Sequence, residues 1–355
     1  MSRLLVLLCL LACVGAPSAA LAATTDTPSG GSPDPAASDP LDHWADAQIQ
    51  TVVDAGLMGP SVDAFDPQGT LTRGDLATAL EVWGHPMAEP VDPTVPVTIR
   101  ELDSRLVVAL GLQSVSRTIR LAARDAGLEP ISSLGTETVA RLLGLRTNHP
   151  ATEDQLELLP GQPATRAEAA FSLAQAIAIT DWQKQQIVDE TADFAFPELT
   201  GWERTVLTRA LRFVGDPYIW TGTSEKRTQT LWNGAVVPGG FDCSGFVWRV
   251  YKLQPFPGAP TLTDMLKGRT TYAMSGEVPN DLRIDPIDLE PADVVFFGSQ
   301  GPRSKPSEIG HMGIDLGNGW IVHSSGHGVT LDPLTGWYQA TLAWGRRPLA
   351  EAGLE

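Results

Sequence analysis

Apolar residues recur at helical spacing through the first half of the chain and in short continuous runs near its end. In "HWADAQIQTVVDAGL", Trp44, Ile49, Val52 and Val53 fall on one side, which predicts a helix closed by Gly56. "FDPQGTLTRGDLATAL" (65–80) lines up with "LLPGQPATRAEAAFSL" (158–173), each with a proline five residues before a Thr-Arg pair. "TIRELDSRLVVALGL" (98–112) is a weaker third copy, and "DAGL" occurs at 54–57 and again at 125–128, where Gly127 is a second candidate cap. Thr72-x-x-Asp75, Thr98-x-x-Glu101 and Thr165-x-x-Glu168 read as capping boxes, each opening a helix of small and apolar residues. Each unit is thus a helix, a proline-bearing loop and a capped helix, and such units stack because none buries its apolar face alone.

Residues 187–199 read as a linker with Pro197 and no clean periodicity. Thr200-x-x-Glu203 then opens a helix with Val206, Leu207, Ala210, Leu211 and Val214 as its buried stripe. Phe246, Val247, Val250 and Tyr251 predict another helix, starting at Cys243 with Asp242 as its N-cap. "ADVVFF" (292–297), "HMGIDL" and "WIVHSS" read as buried strands, the last two joined through Gly317-Asn318-Gly319. The chain is therefore expected to be an all-α repeat module over 41–186 followed by an α+β domain with an antiparallel sheet over 200–350.

The start of the chain changes the picture of compartment. Arg3, the apolar run 4–14 and Ala20-Leu21-Ala22 read as a signal peptide, 1–22, followed by a Pro/Ser/Gly/Ala linker, 23–40, expected to be disordered. Leu10-Leu11-Ala12-Cys13 also resembles a lipobox, which would acylate Cys13. Removal of residues 1–22 leaves 24 basic against 42 acidic residues, which argues against nucleic acid and anionic membranes as partners. It also removes Cys9 and Cys13, so the exported protein keeps one thiol, Cys243, and no intramolecular disulfide.

The first half resembles the S-layer homology family in "HWA", in the "GL" ending the first helix, in "F-x-P" and in "T-R-A-E". The resemblance implies a three-unit helical module that binds pyruvylated secondary cell-wall polysaccharide. The residues at the family's groove positions are Trp44, Arg73 and Arg166, whereas the middle copy has Ile99 there, with Arg100 one place later.

In "GGFDCSGFVWRVY", Cys243 stands in the first turn of a helix, where the dipole and free amides favour thiolate. Three of the six histidines fall in "GHMGIDLGNGWIVHSSGHG". A two-residue Asn-Gly loop would place 311 opposite 326 and His311 and His323 on opposite faces. A three-residue loop, 317–319, would pair 311 with 325 and set both rings on one face. Three readings stay open on these residues: a catalytic set of Cys243, His311 and His323; a metal site using His311, His323, His327 or Asp315; and structural histidines in a sheet core.

Residues 200–348 resemble the NlpC-type cell-wall cysteine peptidases (NlpC/p-sixty family) in "ALRFVGDPYIWTG", "FDCSGFVWRVY", "LEPADVVFF" and "GHMGIDLGNGWIVHSS". The resemblance implies a papain-like α+β fold that needs no cofactor or metal and hydrolyses peptidoglycan stem peptides. The usual bond links the γ-carboxyl of D-glutamate to a diamino acid. By position, Cys243 is the nucleophile, His311 the base and His323 its orienting partner, with Tyr218, Asp242 and Ser244 contacting substrate. "WTG" replaces the usual "WGG", and the stretch 221–240, with Trp232, is longer than the family pattern. The expectation is a secreted, wall-attached endopeptidase. The alternatives are an inactive wall-binding protein, or an amidase or acyltransferase on the same fold.

Overall fold

The structure, a computed structural model, describes residues 43–354 and gathers them into one compact unit. The expected signal peptide, the expected disordered linker and Cys9 and Cys13 lie outside the described residues. Helices make up the first half: α1 (Asp46–Asp54), α2 (Arg73–Val82), α3 (Ile99–Ala109), α4 (Gln113–Asp125), α5 (Leu134–Leu142), α6 (Arg166–Ala178) and α7 (Asp181–Thr191). Gly56 and Gly127 follow α1 and α4 with φ of +68° and +77°, the left-handed turn that ends a helix.

Thr72, Thr98 and Thr165 cap α2, α3 and α6, each hydroxyl accepting from the amide three residues on. Such a cap is worth ~1 kcal/mol. Of these three, Thr72 has the reciprocal half of the box. Glu101 is drawn instead into a two-pronged pair with Arg73, and Glu168 bonds to Arg146 and His149.

The residues just before the three threonines form a closed ring of backbone hydrogen bonds. Leu71 N donates to Ala164 O (2.9 Å), Ala164 N to Val97 O (2.8 Å) and Val97 N to Leu71 O (2.9 Å). All three side chains are fully buried. Each repeat therefore satisfies its backbone through the next, and the weak copy at 98–112 is a full member of the ring.

In the second half, α8 (Gly201–Leu211) opens on a complete Thr200/Glu203 capping box. The long stretch after it folds into two short antiparallel pairs, β1 (Thr223–Ser224) with β4 (Gly240–Phe241), and β2 (Thr228–Gln229) with β3 (Val236–Val237). Then come α9 (Cys243–Tyr251), α10 (Thr271–Gly276), β5 (Val294–Gly298), β6 (Ile309–Gly317), β7 (Trp320–Ser325), β8 (Gly328–Pro333), α11 (Gly336–Thr341), β9 (Leu342–Arg346) and α12 (Pro348–Glu351). The sheet order is β8-β7-β6-β5-β9, antiparallel throughout. The α+β class and antiparallel sheet expected from the sequence are both present.

Helix α9 lies on β6 and β7 and buries Phe246, Val247, Val250 and Tyr251. Arg209 of α8 donates to Val250 O and Gln254 O, satisfying carbonyls at the end of α9, with its guanidinium over Phe256. Residues 187–199 take in the end of α7 and then pack against the sheet. Phe194 is buried edge-on against Trp320, and Asn318 donates to Ala195 O.

Asp315 on β6 accepts from Gly317 N, and burial pushes its carboxyl up to about 7. The folded state then holds a proton that the unfolded chain releases. This contribution is full below the ordinary carboxylate range and is lost as pH rises through about 7. Asp315→Asn keeps an acceptor for Gly317 and removes the charge. It is expected to flatten the fall in unfolding free energy, read from urea titrations, between pH 5 and 8, by on the order of a few kcal/mol at the upper end. An unchanged slope in the variant would contradict this.

Candidate active site

The approach to Cys243 is built from glycines. Gly239 and Gly240 have φ of +133° and +147°. A Cβ on Gly240 would lie 2.5 Å from Pro217 O, and one on Gly245 would run into Gly222 O. The glycines thus admit other backbone, namely segment 217–222. Phe241 N donates to Pro217 O (3.1 Å) and Ile219 N to Phe241 O (3.2 Å), so Tyr218 sits beside the approach to α9. Burial first, then Cys243 and Asp242, push the Tyr218 phenol well above its ordinary range, so it remains a proton donor. Thr221, where the family pattern has glycine, adopts φ +62°, a strained conformation for a β-branched residue, and its hydroxyl accepts from Leu231 N.

Asp242 caps α9, its Oδ1 accepting from Gly245 N (2.5 Å) and from the Ser244 hydroxyl (2.9 Å). Arg269 completes this set, donating to Asp242 (3.0 Å), Ser244 (2.7 Å) and Gly222 O. Asp242 and Ser244 are both buried. Cys243 is buried at the start of α9, which packs on β6. The helix start was expected to favour thiolate. Burial, followed by Asp242, outweighs the lowering influence of the Ser244 and Met312 amides and pushes the thiol up to about 12.

The histidine register follows from the two-residue turn together with a bulge that was not expected. Gly317 pairs with Trp320 across an Asn318-Gly319 turn with φ of +52° and +76°, the two-residue form. A bulge between Asp315 and Gly317 then shifts the pairing, so that Asp315 faces Ile321 and Ile314 faces Val322. The shift brings His311 and His323 to one face, with their rings 4.9 Å apart. His311 Nε2 and His323 Nδ1 are 2.7 Å apart, and His323 Nε2 is 2.6 Å from Asp332 Oδ2.

These contacts assign the protons. A carboxylate only accepts, so His323 carries its proton on Nε2 and presents a lone pair at Nδ1. His311 then donates from Nε2, which leaves its Nδ1 unprotonated. Burial, with a smaller contribution from His323, holds the His311 pKa well below its ordinary value. Burial thus favours the neutral form of both the thiol and the His311 imidazole.

The other candidates lie in the helical module. Trp44 packs edge-on against His149 (4.6 Å between rings). Arg73 is tied to Glu101, and Arg166 donates to Phe65 O with its cation over the Phe65 ring. Of the metal candidates, Asp315 is turned to Gly317 N and His327 lies on the β7–β8 turn, while the facing nitrogens of His311 and His323 bond each other.

Four residues near the site were not singled out from sequence. Asp332 follows from the hairpin: His323 pairs with Thr330, so Asp332 is its diagonal neighbour on the same face, and the alternation in "GVTLDP" carries that signal. Tyr338 and Trp337 of α11 pack around the rings, Tyr338 at 5.0 Å from His323 and Trp337 at 6.2 Å from His311. Arg269, 26 residues beyond Cys243 in the chain, had no local signal.

Residues 215–347 match the model of the NlpC/P60 family, and residues 41–77 match that of the S-layer homology domain. Similar proteins include a "Probable endopeptidase" of Mycobacterium tuberculosis, 32% identical over 137 residues, covering 38% of this chain and 27% of the relative. Another is the "Probable peptidoglycan endopeptidase LytE" of Bacillus subtilis, 29% identical, covering 38% of this chain and 30% of the relative. The chain thus spans about a quarter to a third of the length of these relatives. Among solved structures, the NlpC/p60 domain of the peptidoglycan hydrolase SagA is 22% identical, covering 41% of this chain and 97% of that one, with a TM-score of 0.29. Residues 215–347 therefore carry an NlpC/P60 domain and residues 41–77 an S-layer homology domain, in the order the sequence motifs predict.

Proposed function

We propose that this protein is an exported peptidoglycan hydrolase that cleaves stem peptides with Cys243, at the bond between the γ-carboxyl of D-glutamate and a diamino acid. The observation that supports it most is the chain of contacts from Asp332 through His323 to His311, which leaves an unprotonated Nδ1 on His311, on the strand against which α9 and Cys243 pack. His311 takes the thiol proton as the sulfur attacks the carbonyl carbon, and the imidazolium is held by His323 and Asp332. The Cys243 amide, at the start of α9, and the Tyr218 hydroxyl serve as donors to the oxyanion. Collapse of the tetrahedral intermediate breaks the C–N bond, His311 returns the proton to the leaving amine, and a thioester remains. Water, deprotonated by His311, hydrolyses it. Asp242 and Ser244 help seat the substrate peptide, and no cofactor takes part.

The test is digestion of purified peptidoglycan by the wild type and by Cys243→Ala, with fragments identified by mass spectrometry. Fragments with a new N-terminal diamino acid, produced by the wild type alone, support the proposal. Identical, undigested wall from both proteins would sink the enzyme reading, and released L-alanine would redirect it to an amidase.

The helical module is proposed to hold the enzyme on wall polysaccharide through Trp44, Arg73 and Arg166. Sedimentation with walls is expected to drop severalfold after pyruvyl groups are removed. Undiminished binding would count against a pyruvylated ligand.

A further inference from the structure

Segment 215–222 brings Tyr218 beside the candidate active site, and it is held from two sides. On one side it pairs with Phe241, two residues before Cys243. On the other it is held by side chains of the helical module. Arg141 of α5 donates through Nη2 to Gly215 O and through Nη1 to His327 O. The Asn148 side chain, with its amide nitrogen toward the segment, donates to Tyr218 O (3.2 Å). Asp154 Oδ2 accepts from Trp220 N (3.0 Å).

Arg141 links more than one strand of the site. His327 lies in the turn between β7, which carries His323, and β8, which carries Asp332. Gly215 N donates to Val329 O, and Val329 N to Asp216 O, so the start of the segment is itself laced to β8. Arg141 is 3% exposed, and Glu137, one turn earlier on the same helix, is also buried, its carboxyl pushed up to about 8 by burial and by Asp103. The fit leaves no slack. A Cβ on Gly215 would lie 2.7 Å from Glu137 Oε2, and one on Gly328 would collide with the Arg141 guanidinium. A buried arginine whose donors go to two backbone carbonyls of another element is costly to keep unless that geometry is needed.

We infer that Arg141 is a positioning residue for the active site, and that the helical module, beyond any anchoring role, sets the placement of Tyr218 and of the His323–Asp332 pair. This rests on the reading of Cys243 as nucleophile. Loss of the Arg141 contacts frees the β7–β8 turn and the start of segment 215–222 together, so both the orienting pair and Tyr218 drift from the thiol. A displacement of about 1 Å is enough to lower a rate by ~10²-fold.

The test measures alkylation of Cys243 by iodoacetamide at pH 7 in the full chain, which needs no assumption about the wall substrate. Five proteins are compared: wild type, His311→Ala, Arg141→Met combined with Glu137→Gln so that no buried carboxyl is left beside a missing cation, Arg141→Lys, and Asp154→Ala. Thermal melting checks folding. The double variant is expected to react about tenfold or more slowly. Arg141→Lys, whose ammonium reaches one carbonyl but not both in the same fork, is expected to fall between it and wild type. Asp154→Ala is expected to slow the reaction less than the double variant. If wild type and His311→Ala react alike, the reading of the site itself fails. If His311→Ala slows the reaction while the Arg141 variants melt lower but react as wild type, Arg141 is merely structural and the inference is overturned. If the double variant does not fold, Arg141→Lys decides on the same criterion.

Discussion

Replacing His311 with alanine is expected to lower peptide hydrolysis on the order of 10⁴-fold or more and to change the shape of its pH dependence. The reason is the resting state of the thiol. Burial pushes the Cys243 pKa up to about 12, so thiolate is scarce at pH 7. On the proposed mechanism the sulfur acts only if its proton moves during the attack, with His311 as the proposed base. Because burial holds the His311 pKa well below its ordinary value, the wild-type kcat/KM is expected to stay flat down to pH well under 6.5 before protonation of the imidazole shuts it off. In His311→Ala the only route to thiolate is hydroxide. The residual rate is therefore expected to climb about tenfold per pH unit from 7 to 10, where the wild type is flat. Stopped assays on a defined muropeptide across that range check it. A variant rate that stays level with pH would show that some other base serves the thiol.

How far the site could be read from sequence depends on the range of each interaction. The helix starts were legible because Thr72, Thr98, Thr165 and Thr200 act on amides three residues away. The side-by-side histidines were legible in outcome, but the cause was different. The loop has the two-residue Asn-Gly form, which alone would have parted the rings, and the bulge at Leu316 restores the register. A bulge leaves little mark in a run as apolar as "HMGIDLGNGW". Asp332 was within reach of the same pairing logic applied to the next hairpin. Arg141 was not, because it lies 186 residues from His327, with which it shares a hydrogen bond. Nothing local distinguishes it from any other arginine on a helix. The thiol pKa went the opposite way from the expectation for the same reason. The dipole of α9 is a local property, whereas burial of Cys243 is set by strands that come seventy residues later.

The second large effect belongs to Asp332. Its carboxylate fixes the direction of the hydrogen bonds from β8 to His311: Asp332 accepts from His323 Nε2, which makes His323 Nδ1 an acceptor, which keeps the His311 proton on Nε2. In Asp332→Asn the amide nitrogen can donate to His323 Nε2. That reverses the chain, moves the His323 proton to Nδ1 and the His311 proton to Nδ1, and presents a donor to the sulfur where an acceptor is needed. The expected result is a fall in kcat between about 10²-fold and 10⁴-fold with KM little changed, since no proposed substrate contact is altered. Asp332→Glu, which keeps the charge but lengthens the side chain by one methylene, is expected to recover part of the loss. The KM–kcat split separates this from disorder of β8, which would loosen substrate binding as well. An Asn variant with wild-type kcat would mean that His323 is oriented by Tyr338 packing alone, and that the carboxylate is dispensable for placing the proton on His311.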